Sequence, residues 1–185
     1  MADDPRPLFA PWRLDYLEAL DARERADPAA QSGSFLLDYF RSPGDDEANH
    51  VIIRSAGGHP GLVLLNRYPY ANGHLLVALG EARPRLLDYT PAQRAALWRL
   101  TDAAAEVLEH ALNPQGVNIG VNQGRAAGAG VPSHLHVHLV PRWGGDVNFM
   151  SVVPRVRVIP SSLDAMAARM RASWSALRGR VGPLL

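Results

Sequence analysis

The sequence predicts a chain of mixed α and β structure in which the strands run antiparallel. Two observations carry this expectation. Apolar runs only four to six residues long, at 51–54, 62–66 and 74–79, follow one another across short turns, a pattern that favours an antiparallel meander over a βαβ unit. Between Thr90 and Leu112 the apolar residues switch to helical spacing. A length of 185 residues fits a single domain with its own apolar core.

The elements follow in chain order. Trp12, Tyr16 and Leu20 recur at a spacing of four and predict a short helix over Trp12–Arg25, ended by Asp27-Pro28. Ser32-Gly33-Ser34 reads as a turn, and Phe35–Phe40 as an apolar segment of undetermined type. Strands are expected at Val51–Arg54, stopped by Gly57-Gly58, then at Leu62–Asn66 and His74–Leu79, the last two separated by a turn with Pro69 and Asn72-Gly73. The long helix starts at Thr90 as N-cap, with Pro91 at the tolerated first position and Gln93 completing a capping box. Leu97, Leu100, Ala104, Val107, Leu108 and Ala111 form its apolar stripe, and Asn113-Pro114 ends it. Gly116 releases the chain into a strand at Val117–Asn122, and a loop rich in glycine and alanine, Gly124–Gly130, leads to a strand at His134–Val140 closed by Pro141. Val156–Ile159 reads as a short edge strand and Leu163–Leu177 as a C-terminal helix. The sequence carries no internal repeat and no interdomain linker.

Composition narrows the function. Nineteen basic and eighteen acidic side chains leave a net charge of +1, which gives no reason to expect a nucleic-acid partner that needs many phosphate contacts. No cysteine is present, so disulfides, thiolate nucleophiles and cysteine-ligated zinc are excluded. The first residues lack the basic-then-apolar pattern of a secretory signal. Apolar runs such as Leu62–Leu65 and Leu75–Leu79 fall far short of the roughly 20 residues of a membrane span. No membrane partner is expected, and the cytoplasm is the expected location.

The informative stretch is Ser133-His134-Leu135-His136-Val137-His138-Leu139-Val140. Strand geometry has a period of two, so His134, His136 and His138 are expected on one face, about 7 Å apart, with Leu135, Val137 and Leu139 on the other. Three readings compete. The strand lies at the surface and carries its histidines incidentally, or the imidazoles ligate a metal, with His74 contributing from another strand. In the third, a neutral imidazole attacks phosphorus, which requires an acceptor on its other nitrogen and donors around the phosphate oxygens. Asn122 and the flexible backbone at Gly124, Gly128 and Gly130 offer such donors.

The pattern His134-Leu135-His136-Val137-His138-Leu139-Val140 resembles the signature of the histidine-triad (HIT) family. The likeness extends to Leu64-Leu65-Asn66-Arg67-Tyr68-Pro69-Tyr70 with Gly73-His74, to Asn118–Gly130, and to Pro141-Arg142-Trp143-Gly144-Gly145-Asp146 through Asn148-Phe149-Met150. With Pro11-Trp12-Arg13 and Tyr16, these motifs are similar to the branch containing bacterial diadenosine tetraphosphate phosphorylases, and the likeness covers about 11–152. It implies an α+β fold, a HIT-like antiparallel sheet of about five strands with one long helix and additional terminal helices. The single domain would have its core at about 35–152, an N-terminal extension over 1–34 and a C-terminal strand and helix over 153–185.

The resemblance also implies roles. His136 would be the nucleophile that forms a nucleotidyl-histidine intermediate, with His134 and His138 serving phosphate binding, orientation and leaving-group protonation. Asn66 would contact the ribose, and the apolar surroundings of Leu62–Asn66 would accept the base. Asn122 with Gly128, Ala129 and Gly130 would hold the phosphates, and Ser133 and Trp143 complete the substrate-binding set. Asn66 as a turn initiator and Trp143 as a core or dimer contact are the structural alternatives. His74 reads as a supporting histidine, His50, His59 and His110 have no assigned role, and Arg67 and Arg142 read as solvated. The implied activity is cleavage of adenine dinucleoside polyphosphates by phosphorolysis or hydrolysis. A non-catalytic purine-nucleotide module and a histidine-ligated metal enzyme are the alternatives. Where many bacterial relatives carry Cys-x-x-Cys, this chain has Ser34-Phe35-Leu36-Leu37, so structural zinc is not expected and Phe35 and Leu36 would supply packing instead. No other cofactor is implied, magnesium entering only with the substrate's polyphosphate. A homodimer is the implied assembly.

Overall fold

The computed structural model describes residues 33–146 and 160–182. The expected helix at Trp12–Arg25, the motif at Pro11-Trp12-Arg13 with Tyr16, Asn148-Phe149-Met150 and the expected strand at Val156–Ile159 lie outside the described residues. Contacts divide the chain into two units, residues 1–32 with 145–158 and residues 33–144 with 159–185. The architecture below is that of the second.

Its elements are α1 (Phe35–Arg41), β1 (Val51–Arg54), β2 (Gly61–Leu65), β3 (Leu75–Leu79), α2 (Pro91–Leu112), β4 (Gly116–Val121), β5 (Val137–Arg142) and α3 (Leu163–Val181). The five strands form one sheet in the order β1-β2-β3-β5-β4, and each neighbouring pair is antiparallel. The expected α+β arrangement is thus the observed one. Phe35–Phe40, left open by its sequence, is helical because the Ser34 side chain caps it and Leu36 finds a buried place.

β2 and β3 are buried along their whole length, which explains their uninterrupted apolar runs. One face of the sheet meets α2 and α3: Val63, Leu65, Val77, Leu79, Val137 and Leu139 share a core with Leu97, Leu100, Val107, Leu108 and Met170. On the other face Leu62, Leu64, Leu76 and Ala78 pack with Leu36 of α1, flanked by Phe35, Tyr39 and Phe40. Arg54 fastens the end of α1 by donating to the carbonyls of Phe40 at 2.7 Å and Tyr39 at 2.9 Å while pairing with Asp46. Helix α2 starts as its sequence dictates. The Thr90 side chain accepts from the Gln93 amide, the Gln93 side chain returns the bond, and Asn113 ends the helix in the left-handed region.

Several boundaries differ from expectation, most by one residue. The last central strand starts at Val137 rather than His134, since the Leu135 amide bonds to the Arg83 carbonyl and the His134 amide to Val131. Pro141 does not close it: Arg142 continues the strand and its carbonyl accepts from the Gln115 amide. Proline is tolerated at such a position near a strand end. Helix α3 runs past Leu177 to Val181, whose side chain is buried in the core.

Candidate active site

Register places the histidines. His138 pairs with Leu76 across β5 and β3, and Leu76 belongs to the face that α1 covers. His138 therefore projects from that face, beyond the cover of α1, and His74 precedes Leu75 with the same parity. The ring centroids of His136 and His138 are 4.8 Å apart, and His74 lies 5.2 Å from His138. Tyr70 stacks on His74 at 4.8 Å. Leu135, Val137 and Leu139 enter the opposite core as expected.

The three histidines are not equivalent. Only His138 belongs to the regular strand. His134 is 0% exposed and His136 5% exposed, so the expected even row of three presented rings becomes two neighbouring rings and one sealed inside. His134 Nε2 lies 2.8 Å from the Leu79 carbonyl and Nδ1 lies 2.7 Å from Ser34 Oγ. A carbonyl only accepts, so Nε2 carries the proton and Nδ1 accepts from the serine hydroxyl. Burial holds the His134 imidazole neutral, its pKa pushed down to about 4.

The same logic fixes His136. Its Nδ1 lies 2.9 Å from the His134 carbonyl and must donate to it. Nε2 is left with a lone pair, and burial lowers the pKa so that the neutral form prevails. His74 Nδ1 accepts from the Tyr70 amide at 3.1 Å, so its proton sits on Nε2, 3.0 Å from His138 Nδ1. His138 therefore accepts at Nδ1 and, when neutral, carries its proton on Nε2. A base with a lone pair on Nε2 thus stands beside a ring whose own Nε2, buried in the site, bears hydrogen.

The remaining expected residues are placed more loosely. Asn66 is half-buried at the end of β2. Its Oδ1 accepts from the Tyr68 amide at 2.9 Å, the turn-initiating role, while Nδ2 lies 3.3 Å from His74 Nδ1. Val121 pairs with Val137 in the last pair of the ladder, and half-buried Asn122 directly follows Val121 as His136 directly precedes Val137. The loop between β4 and β5 contains a 3-10 turn at Arg125–Ala127, with Gly124 and Gly128 at positive φ. Its Gly128 amide bonds to the Arg125 carbonyl and its Ala129 amide to the Gly124 carbonyl, so both are spent within the loop. Gly130 and Ser133 are half-buried between that turn and His134. Trp143 is half-buried beyond β5, five residues past His138, roughly 16 Å away at the rise of a strand. The sequence offers Ser34 as a turn residue at the place of a relative's cysteine and His74 as a supporting histidine, but the bonds of Ser34 to His134 and of His74 to His138 appear only in the structure.

Among the described residues, no group of three or more His, Asp or Glu side chains stands where it would hold a metal ion. Ser34 and Leu37, in place of a cysteine pair, offer one hydroxyl already bonded to His134 and one aliphatic chain, a donor set that does not fit zinc.

Comparison with known proteins gives the family. A HIT domain model matches residues 59–145. The chain is 35% identical over 174 residues to an AP-4-A phosphorylase of Mycobacterium tuberculosis, covering 94% of this chain and 86% of that one. The chain belongs to the histidine-triad family. Another relative, a bis(5'-nucleosyl)-tetraphosphatase (asymmetrical) of Schizosaccharomyces pombe, is 38% identical over 82 residues, 44% of each chain. Among solved structures, a Zn-bound histidine triad family protein of Mycobacterium smegmatis superposes with a TM-score of 0.61 at 26% identity, covering 80% of this chain and 99% of that one. Within this HIT protein the family signature sets the His136 and His138 rings side by side and turns its first histidine inward.

Proposed function

We propose that the protein cleaves dinucleoside polyphosphates by phosphorolysis through a nucleotidyl-His136 intermediate. The observation that carries this reading is the bond from His136 Nδ1 to the His134 carbonyl, which leaves Nε2 as a neutral nucleophile. In the first step Nε2 forms a bond to the α-phosphorus as the bond to the bridging oxygen breaks. His138 Nε2–H donates a hydrogen bond to the leaving oxygen, and the nucleotide departs as the phosphate anion with the proton kept on the ring. In the second step an oxygen of inorganic phosphate attacks the same phosphorus, the N–P bond breaks, and a nucleoside diphosphate is released. For diadenosine tetraphosphate the products are ATP and ADP. Similarity to a named phosphorylase over nearly the whole chain favours phosphate over water as the second acceptor. Asn122, at the end of β4 next to the Val121–Val137 pair, is the assigned phosphate contact, and Asn66 the assigned ribose contact.

Serving the phosphates with Gly128 or Ala129 amides requires the loop to open its own bonds to Arg125 and Gly124. Any magnesium enters with the substrate's polyphosphate. A homodimer is part of the same reading. β4 is the outer strand of the described sheet and carries Ile119 at 46% exposure, an edge that a second copy would extend. Sedimentation of the purified chain at micromolar concentration tests it, a monomer refuting it.

The decisive experiment incubates the protein with diadenosine tetraphosphate, with and without inorganic phosphate, and follows nucleotides and intact protein mass. The expected result is ADP formed only with phosphate, and an acid-labile adduct of one nucleoside monophosphate that His136→Ala abolishes. AMP in place of ADP points to hydrolysis. Nucleotide binding with neither adduct nor product refutes the enzymatic reading.

A further inference from the structure

We propose that Ser34 is a positioning residue for His136, needed as a hydrogen-bond donor to His134 and not only as the N-cap of α1. The inference rests on the reading of His136 as the nucleophile. Ser34 is 1% exposed and lies one hundred residues before His134 in the chain. Its Oγ accepts from the Leu37 amide at 3.3 Å and sits 2.7 Å from His134 Nδ1. The hydroxyl therefore spends a lone pair on the helix and its single proton on the imidazole. Both nitrogens of His134 are then satisfied, with Leu79 on the far side, and the ring is fixed at two points.

What the ring holds is the peptide beside it. The His134 carbonyl is the acceptor that keeps the proton on His136 Nδ1, and the next amide, Leu135, is tied to Arg83. A shift of the His134 ring moves that carbonyl, and with it the one contact that specifies the tautomer of His136. Ser34 itself is held in place from the other end of α1, where Arg54 grips the Tyr39 and Phe40 carbonyls. Without a donor, His134 Nδ1 becomes a buried acceptor with no partner. The ring relieves this by turning or by changing tautomer, and each change disturbs its carbonyl.

Three substitutions separate the two duties of Ser34. Ser34→Thr keeps both cap and donor. Ser34→Asp keeps the cap but, as a carboxylate, only accepts, so His134 Nδ1 must take up a proton. Ser34→Ala loses both. Turnover of diadenosine tetraphosphate is compared at saturating substrate, each variant shown folded by circular dichroism, and imidazole nitrogens are followed by 15N NMR on histidine-labelled protein. Thr is expected to match the wild type, while Asp and Ala lower kcat about tenfold with little change in KM. In the Asp variant the His134 Nδ1 resonance should move to the protonated range and the His136 resonances should shift with it. The proposal is overturned if Asp turns over like the wild type, since capping is then the whole role of Ser34. It is equally overturned if the His136 nitrogens are indifferent to the Asp substitution, a reading that needs no turnover. A wild type without activity defeats the catalytic reading instead, and the nitrogen shifts still decide the link from Ser34 to His136.

Discussion

Acid should destabilise this protein through His134. The imidazole is fully buried, donates to the Leu79 carbonyl and accepts from Ser34, so adding a proton at Nδ1 sets a charge in the interior facing a hydroxyl hydrogen. Its pKa is held near about 4 against 6.5 for a free histidine, burial being the main cause. Between those two values the unfolded chain binds a proton that the folded chain refuses, so stability falls as pH falls from 6.5 towards 4. At about 1.4 kcal/mol per pKa unit, the cost reaches about 3 kcal/mol by pH 4. Carboxylates titrate over the same range, and the comparison is therefore with His134→Gln, whose amide keeps a donor towards Leu79 but has no acid–base chemistry. Urea unfolding followed by tryptophan fluorescence, at intervals from pH 7.5 to pH 4, gives the free-energy difference between the two proteins. That difference should move in favour of the Gln variant by about 3 kcal/mol across the range. A difference that stays level from neutral to acid pH refutes the neutral, sealed state of His134.

Three further outcomes are expected. Removing the His74 donor with His74→Leu should lower kcat at least about tenfold while His74→Gln retains more activity, because only Gln offers an N–H towards His138 Nδ1; equal rates for the two variants refute a role for that hydrogen bond. Gly73→Ala should cost about 1–3 kcal/mol of stability, read as a lower urea midpoint. Gly73 has φ +84, and a methyl group there would lie 2.4 Å from Leu112 Cδ1. Thr90→Ala, which removes one half of the capping box of α2, should cost about 1 kcal/mol by the same measurement.

Features encoded by local chemistry could be read along the chain. Thr90, Pro91 and Gln93 specify the start of α2 within four residues, and Asn113-Pro114 its end, without help from the rest of the chain. The runs in β2 and β3 show their burial on both faces in composition alone. The period of two in 134–140 was enough to put Leu135, Val137 and Leu139 in the core, and the spacing of the histidines was enough to identify the family. Tertiary structure decided how those histidines differ. His134 turns inward because Leu79, fifty-five residues before it, supplies an acceptor and Ser34, a hundred residues before it, a donor. His138 takes its tautomer from His74 across sixty-four residues. The strand starts at Val137 because the Leu135 amide bonds to Arg83 instead of to a neighbouring strand. A hydrogen bond depends on the distance between two atoms in space, and separation along the chain carries no trace of it. Periodicity and capping therefore name the candidates, whereas the choice of which imidazole acts and which one supports it is made only when distant segments meet.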